Sequence, residues 1–284
     1  MNIEKDNKQG VGAMKPVSIQ LYTLREASKK DFPGVLKRVA KIGYKGVEPA
    51  GLYNYTPLEF RRVVEDLGMV ISSTHSPWAK SDNLAATIDT CGELGVDMVA
   101  GGWGRDEFKD MDAIKRTAEM AAGMEETLSK AGITLTIHNH AWEFEKLNGR
   151  IKHEIFAGLC PKVKFELDTY WAANFGENDA AEMVRRFARR SPLLHIKDGP
   201  LIRPVEIYNS ATSTLELKAG SQSASLLAVG SGKNDIKGII GAIDPAVTKW
   251  LLVEQDNSDT DMFECVEKSY RYLIENKLAE GNRK

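Results

Sequence analysis

Short apolar runs alternate along this chain with longer stretches of helical period, from about Val17 to Leu278. The first run is VSIQLY (Val17 to Tyr22), and a helical stretch follows around Phe32 to Ile42. GVEPA, a helix over Thr56 to Leu67, and MVISSTH ending at His75 come next. A helix over Leu84 to Leu94 leads to VDMVAGG, and a long one over Met111 to Ala131 leads to ITLTIHNH. Glu154 to Leu159 precedes VKFELD, and a helix over Ala180 to Ala188 precedes LLHIKD. WLLVEQD (Trp250 to Asp256) is the last run, and an amphipathic helix over Met262 to Leu278 closes the chain. Eight strand-like runs result, most of them followed by a helix.

Strict alternation of strand and helix favours a parallel sheet, because parallel strands need long crossover connections. Eight such units in about 250 residues predict an α/β chain folded as a single-domain (β/α)8 TIM barrel. A doubly wound sheet usually carries a glycine-rich turn after its first strand, and here that place holds QLYTLRE. Gly43, Gly68, Gly95 and Gly132 precede strands, where helices should be ending. Two connections are longer than a barrel needs, giving extended loops after strands five and seven. WEFEKLNGRIKHE carries Asn148-Gly149, a type I′ hairpin signal. The second runs from Gly199 to about Gly232 and includes VEIYN and STLELKA. Both leave C-terminal strand ends, so both are expected over the barrel mouth as lids or substrate walls. Residues 1–15 read as a disordered leader and residues 16–284 as one barrel domain.

Composition mainly excludes. The 284 residues are 42% hydrophobic and 27% charged, the balance of a soluble globular chain that can bury a core without staples. A formal net charge of −2 argues against a general nucleic-acid binder. No apolar run reaches the roughly 18 residues of a membrane span, and the first residues lack the apolar core of a signal peptide. Cys91, Cys160 and Cys265 are odd in number, widely spaced and in no ligand pattern, as suits core residues in a reducing compartment. The expectation is a cytoplasmic protein.

The polar residues that interrupt the apolar runs fall at their C-terminal ends. Strand five ends in His138-Asn139-His140, strand six in Glu166-Leu167-Asp168, strand seven in His195-Ile196-Lys197-Asp198 and strand eight in Glu254-Gln255-Asp256. Alternation puts His138 with His140, Glu166 with Asp168, His195 with Lys197 and Glu254 with Asp256 on shared faces. One of those faces looks into the mouth, where barrel enzymes build their sites. Taken singly, each residue has a bland reading: a histidine near a strand end is usually a hydrogen-bonded structural group, and Glu166 can simply pair with Lys197. Repetition on four consecutive strands points instead to a divalent-metal site. His153, at a helix start, reads as a surface residue. Trp78, Trp103, Trp142 and Trp171 follow strand ends, and only Trp250 opens a strand. Such aromatics either pack helices and interfaces or form platforms for sugar rings, and as a group they point toward carbohydrate. The basic cluster of the helix over Ala180 to Arg190 reads as a solvated face.

SIQLYTLRE, GYKGVEPAG, IHNHAWEF, ELDTYW, LLHIKDG, AVGSGKND and LLVEQD, in that order and spacing, resemble the xylose isomerase-like barrel superfamily and its sugar phosphate isomerase/epimerase branch. The resemblance covers nearly the whole chain. It implies one divalent ion (Mn, Zn, Mg or Co) held by a glutamate of strand five, an aspartate of six, a histidine of seven and a glutamate of eight. The implied ligands are Asp168, His195 and Glu254. Strand five departs from that pattern, because His138 stands where the epimerases carry glutamate; a branch with His-Asn-His looks similar, and His138 is taken as the fourth ligand. The implied chemistry is proton abstraction next to a carbonyl through a metal-stabilised enediolate, giving a sugar, keto-sugar or cyclitol isomerase or epimerase. Glu254 serves one face, and His138, His140, Glu143 or Glu166 the other, with Lys197 bonding the developing enolate or a leaving hydroxyl. Glu48, His75, Trp103, Glu143 and Trp171 are expected on the substrate, although Glu48 also fits a salt bridge at the rim.

Three other functions remain. Loss of a β-substituent would give a lyase or dehydratase, which the missing strand-five glutamate keeps close. The superfamily also contains metal-dependent DNA-repair endonucleases, against which the acidic charge and tryptophan-rich mouth argue. A non-catalytic sugar-binding homologue is the third, and retention of Asp168, His195 and Glu254 weighs against it. No phosphate-cradling loop is present, so a phosphorylated substrate is not indicated. The expected partner is a small carbohydrate, with neither nucleic acid nor membrane, and the chain is expected to form a homodimer or homotetramer.

Overall fold

In the computed structural model, which describes residues 14–203, 205–209, 214–218 and 225–282, the eight apolar runs become nine parallel strands of one nearly closed barrel. They are Lys15–Gln20, Gly46–Glu48, Val70–Ile71, Thr74–Ala79, Met98–Gly101, Thr134–His138, Lys164–Asp168, Leu193–Ile196 and Trp250–Val253. The extra strand comes from the third run, which breaks at Ser72-Ser73. Val70–Ile71 pairs with Gly46–Glu48, whereas Thr74–Ala79 pairs with Met98–Gly101. These two pieces are the ends of the strand path and are consecutive in the chain, so the break marks where the barrel nearly closes. Of the leader expected over residues 1–15, the first thirteen lie outside the described residues. Lys15 opens the first strand and pairs with Ala279 of a short C-terminal strand that the sequence did not announce.

Alternation along each strand separates two environments. Val17, Ile19, Val47, Val99, Leu135, Ile137, Phe165, Leu167, Leu194, Ile196, Leu251 and Val253 belong to the large core cluster shared with the helices. The opposite face fills the barrel. Its lower end is a small apolar plug of Met98, Leu193 and Leu252, with Trp250 against it. A Cβ on Gly46 would come within 3.0 Å of the Trp250 ring, so glycine is what lets that indole lie across the plug. Above the plug the same face turns polar, through Ser18 and Thr136, and it carries Glu48, His138, Glu166, Asp168 and His195 at the C-terminal ends.

Helix ends follow local chemistry. Thr56 and Glu59 form a reciprocal capping box behind Pro57, and Asp110, Asp179 and Asp261 each cap a helix with their carboxylate. The first helix starts at Arg25 rather than near Phe32 and is interrupted at Asp31 (φ −151°). The Asp31 carboxylate accepts from Gly34 N–H, so the segment with the expected helical period has its own cap. Gly43, Gly68, Gly95 and Gly132 all follow helices with positive φ, as their positions predict.

Both long connections hold antiparallel ribbons. Lys146–Leu147 pairs with Arg150–Ile151 across Asn148 (φ 51°) and Gly149 (φ 79°), the paired positive φ that a type I′ turn demands. Val205–Asn209 pairs with Thr214–Lys218 in the later loop. Asp198 ties both ends of that loop to the barrel: its carboxylate accepts from the N–H groups of Gly199, Gly230, Gly232 and Asn234. The basic cluster is only partly a solvated face. Arg185 and Arg186 pair with exposed Glu182, but Arg190 turns back to donate to the carbonyls of Ala157, Cys160 and Val163. All three cysteines are buried and free. Among the described residues no helix is long and apolar enough to cross a membrane.

His153 is not a surface residue. The helix Lys152–Leu159 turns its first residues inward, and the buried imidazole stacks on Phe144 and lies 4.5 Å from Phe165 and 4.7 Å from Phe187, ring centre to ring centre. Neither ring nitrogen has a hydrogen-bond partner. Burial, reinforced by Arg190, pushes its pKa down to about 3 from the ordinary 6.5. The unfolded chain therefore takes up a proton that the fold refuses, and stability should fall as pH drops from about 6.5 toward 3. One such proton gives a slope of at most about 1.4 kcal/mol per pH unit. His153→Phe should flatten the acid side of the stability curve by that group's share in urea unfolding at about pH 7 and about pH 4. An unchanged pH slope in the variant would show that the ring titrates normally.

Candidate metal centre at the barrel mouth

Four strand ends deliver the centre, and each side chain is aimed by a specific contact. Asp168 closes its strand and caps the short helix Thr169–Ala172: its Oδ1 accepts from Tyr170 and Trp171 N–H. That fixes Oδ2 toward the barrel axis, 2.9 Å from Lys197 Nζ and 3.5 Å from His138 Nε2. Asn139 clamps two neighbouring strands, donating to Asp168 C=O and accepting from Asp168 N–H. This accounts for the asparagine between the two histidines, to which the sequence reading gave no role. Glu254 Oε2 lies 2.7 Å from His195 Nδ1 and 2.8 Å from Lys197 Nζ. One ligand-type atom from each of His138, Asp168, His195 and Glu254 falls within 4.8 Å of the others, and all four residues are buried. The expected quartet is thus assembled.

A second cluster lies on the other edge of His195. Its Nε2 is 3.2 Å from Glu48 Oε2 and 3.3 Å from Glu166 Oε1. His75 Nε2 is 2.5 Å from Glu166 Oε2 and 3.3 Å from Glu48 Oε2. Glu48 makes no rim salt bridge with a lysine or arginine among the described residues: it is fully buried and accepts from Gln20 Nε2 and Ser73 Oγ. Glu166 does not pair with Lys197 either, because that ammonium is taken by Asp168, Glu254 and Asp256, each at 2.8–2.9 Å.

The charge states follow from these neighbours. Burial and then Glu166 push the Glu48 carboxyl up to about 7. Burial holds His138 down at about 4, against the opposing pull of Asp168, so its ring is neutral. Burial would neutralise Lys197, but Asp168, Asp256 and Glu254 outweigh it and hold the ammonium charged. Likewise burial would raise Asp168 and Glu254, yet Lys197 and the neighbouring histidines keep both ionised. A cation and this lysine compete for Asp168 Oδ2 and Glu254 Oε2, and Asp256 offers the ammonium another partner at 2.9 Å.

The donor set fits a divalent ion. Both nitrogens of buried His138 lack a hydrogen bond, and Asp168 Oδ2 has the ammonium nearby but no hydrogen bond of good geometry. Leaving such groups unpaired costs roughly 1–3 kcal/mol each. A neutral imidazole lone pair and a bare carboxylate oxygen facing each other are what borderline cations such as Zn or Mn bind.

Over this centre lies a cavity of about 240 Å³ lined by Tyr22, Ala50, His75, Trp78, His138, His140, Trp171, Lys197, Glu254 and Asp256. Its size suits one small polar molecule. Larger hollows of about 530 Å³ beside Tyr53 and about 550 Å³ beside Cys160 hold no metal-ligating cluster among the described residues. His140 stacks on Trp142 with its Nδ1 3.9 Å from Glu143 Oε1, and burial raises the Glu143 carboxyl. Trp103 and Glu143, both expected on the substrate, stand outside the cavity lining: Trp103 packs near Phe156, and Glu143 lies behind His140. Glu48 and Glu166 lie beneath the lining rather than in it. Tyr22, Ala50 and Asp256 line it without having been singled out; for Asp256 the signal was present, two residues after Glu254 on the same face.

A family model described as a xylose isomerase-like TIM barrel matches residues 36–275. No curated protein matches the chain. Among solved structures, a sugar phosphate isomerase/epimerase from Parabacteroides distasonis is 25% identical, with a TM-score of 0.73 over 97% of this chain and 99% of its own. An L-ribulose 3-epimerase is 19% identical (TM-score 0.67, covering 93% and 95%). The probable 3-DHS dehydratase AsbF of Bacillus anthracis is 12% identical (TM-score 0.66, covering 91% and 98%). The last two share the fold alone.

Lys197 should be the costliest single charge to remove. Lys197→Met leaves three carboxylates without their cation, and in chelator it should lose about 3–5 kcal/mol of unfolding free energy in urea. A loss below about 1 kcal/mol would mean that the carboxylates are not ionised together.

Proposed function

Because the chain belongs to the xylose isomerase-like TIM barrel family, we propose that it is a divalent-metal-dependent sugar, keto-sugar or cyclitol isomerase or epimerase that removes a proton next to a carbonyl. The observation that carries this reading is the buried quartet of His138, Asp168, His195 and Glu254 beneath a tryptophan-walled cavity. A divalent ion held by those four residues supplies a Lewis acid for the carbonyl oxygen, lowering the cost of negative charge there. The protein's own groups do the rest. Trp78 and Trp171 give apolar walls that exclude water and leave the substrate's polar edge facing Lys197 and Asp256. Lys197 presents a charged N–H donor to oxygen charge as it develops, inside a site where water does not screen it. Glu254 lines the cavity as an ionised carboxylate and is assigned the proton on one face. His140, at the rim with Glu143 behind it, is assigned the proton on the opposite face. His138, as a neutral ring, fills the fourth ligand position that a glutamate occupies in the epimerases the sequence resembles. Glu48 and Glu166 lie outside the cavity lining, so they are assigned to holding His75 and His195 in place rather than to touching substrate.

A lyase or dehydratase is the second reading, favoured by the imidazole on strand five: only Glu254 among the four ligand residues is then a carboxylate that also lines the cavity. The two readings separate by product. A proton returned to carbon leaves a rearranged or deuterium-labelled sugar in heavy water, whereas loss of a β-substituent leaves an unsaturated one.

Protein stripped with chelator and reloaded should bind a divalent ion that Asp168→Asn and His195→Ala each diminish. Glu254→Gln should also slow deuterium uptake into responsive keto-sugars by about 10²–10⁴-fold. Full metal occupancy and full activity in both ligand variants would refute this assignment.

A further inference from the structure

We propose that the barrel holds a second, deeper divalent-cation site, with Glu48, His75 and Glu166 as ligands and His195 Nε2 at its fourth corner. These four residues come from different parts of the barrel wall, and one donor atom from each lies within 4.8 Å of the others. Three of the six edges of such a site have the right length. Ligands about 2.0–2.1 Å from a tetrahedral centre stand about 3.3–3.4 Å apart. The observed separations are 3.2 Å from His195 to Glu48, 3.3 Å from His195 to Glu166 and 3.3 Å from His75 to Glu48. His75 meets the other oxygen of Glu166, Oε2, in a hydrogen bond of 2.5 Å, which leaves Oε1 to face the centre of the cluster.

Two further observations point to a cation. Glu166 Oε1 is fully buried and aimed into the cluster, yet it has no hydrogen-bond partner. The charge is also unbalanced. Asp168, Glu254 and Asp256 surround the ammonium of Lys197, while Glu48 and Glu166 meet no lysine or arginine among the described residues and face only His75 and His195. With neutral imidazoles the formal charge is four negative, which one divalent ion leaves half compensated; a second ion takes the other nitrogen of His195, which becomes a bridging imidazolate by releasing its remaining N–H proton to solvent, and the pair of sites is then left one negative. Gln20 and Ser73 hold the Glu48 carboxylate as outer partners hold metal-binding carboxylates.

The site is of the closed kind. Glu48, Glu166 and His195 are wholly buried, and only His75 reaches the cavity, with its side chain 12% exposed. A closed set of two carboxylates and two imidazoles suits zinc or manganese in a structural role, beneath the ion that meets substrate. There it would hold both rings through their Nε2 atoms, and with His195 Nδ1 on the upper ion that ring would bridge the two as an imidazolate. The competing arrangement is a metal-free network in which both rings are protonated.

Metal content separates the two. Wild-type protein stripped with chelator, reloaded with zinc and freed of excess should retain two ions per chain by elemental analysis. Glu166→Gln should retain one, Asp168→Asn one, and the double variant none. If Glu166→Gln fails to fold, His75→Ala removes a partly exposed ligand and should also retain one. A single ion in the wild type, kept in His75→Ala and lost in Asp168→Asn, would overturn the second site while leaving the upper centre intact. No retained ion at all would overturn both.

Discussion

Carboxylates outnumber cations inside this barrel, and the rest of the molecule is arranged around that imbalance. Parallel strands covered on both faces are usually apolar on both. Here the inner face carries Glu48, Glu166, Asp168 and Glu254 within a few ångströms of one another, with Lys197 as the one ammonium among them. Each isolated charge buried so deeply would cost several kcal/mol. The structure offsets this with Gln20 and Ser73 on Glu48, helix-end N–H groups on Asp168 and a three-way ion pair on Lys197. Among the described residues, both nitrogens of His138 and Glu166 Oε1 are left without a hydrogen bond, and Asp168 Oδ2 has only the nearby ammonium. Those orphans mark where further positive charge belongs.

The remaining architecture allows that polar interior to persist. Stability comes from the outer faces of the strands, packed on helices, and from the plug of Met98, Leu193 and Leu252 below the charges. Neither source depends on the mouth being apolar. Residues near the centre serve both purposes. Asp168 caps a helix with one oxygen and offers the other to the barrel axis, and Asp198 gathers a loop of about thirty residues onto the strand end that carries Lys197. Backbone N–H groups thus fix Asp168 and Asp198, while side-chain partners fix Glu48, His195 and Glu254.

Most of the barrel was legible because strand and helix impose different periods on hydrophobic residues, and the chain alternates between the two over most of its length from Val17 onward. Asp168, His195 and Glu254 were legible because each interrupts an apolar run at the same end. Closure was not: Ser72-Ser73 looks like the polar end of a strand, and only pairing on opposite sides shows that the run serves two neighbours. His153 was misread because its burial depends on a preceding hairpin that turns the helix inward, which residue type alone does not report. The tryptophans were overgrouped, since Trp103 follows a strand end like Trp78 and Trp171 but packs near Phe156. The second cluster was hidden for a different reason. Glu48, His75 and Glu166 are spread over more than a hundred residues, and only barrel closure brings them to the Nε2 edge of one histidine ring.

The central claim is that the charge imbalance is resolved by a bound cation, and anomalous diffraction from crystals soaked in zinc locates such an ion directly. The account predicts a peak in contact with His138, Asp168, His195 Nδ1 and Glu254, about 2.0–2.2 Å from each donor, with Lys197 drawn toward Asp256. A barrel interior without any zinc peak, with Lys197 still bridging Asp168 and Glu254, would contradict it and leave the ammonium as the cation the interior was built for.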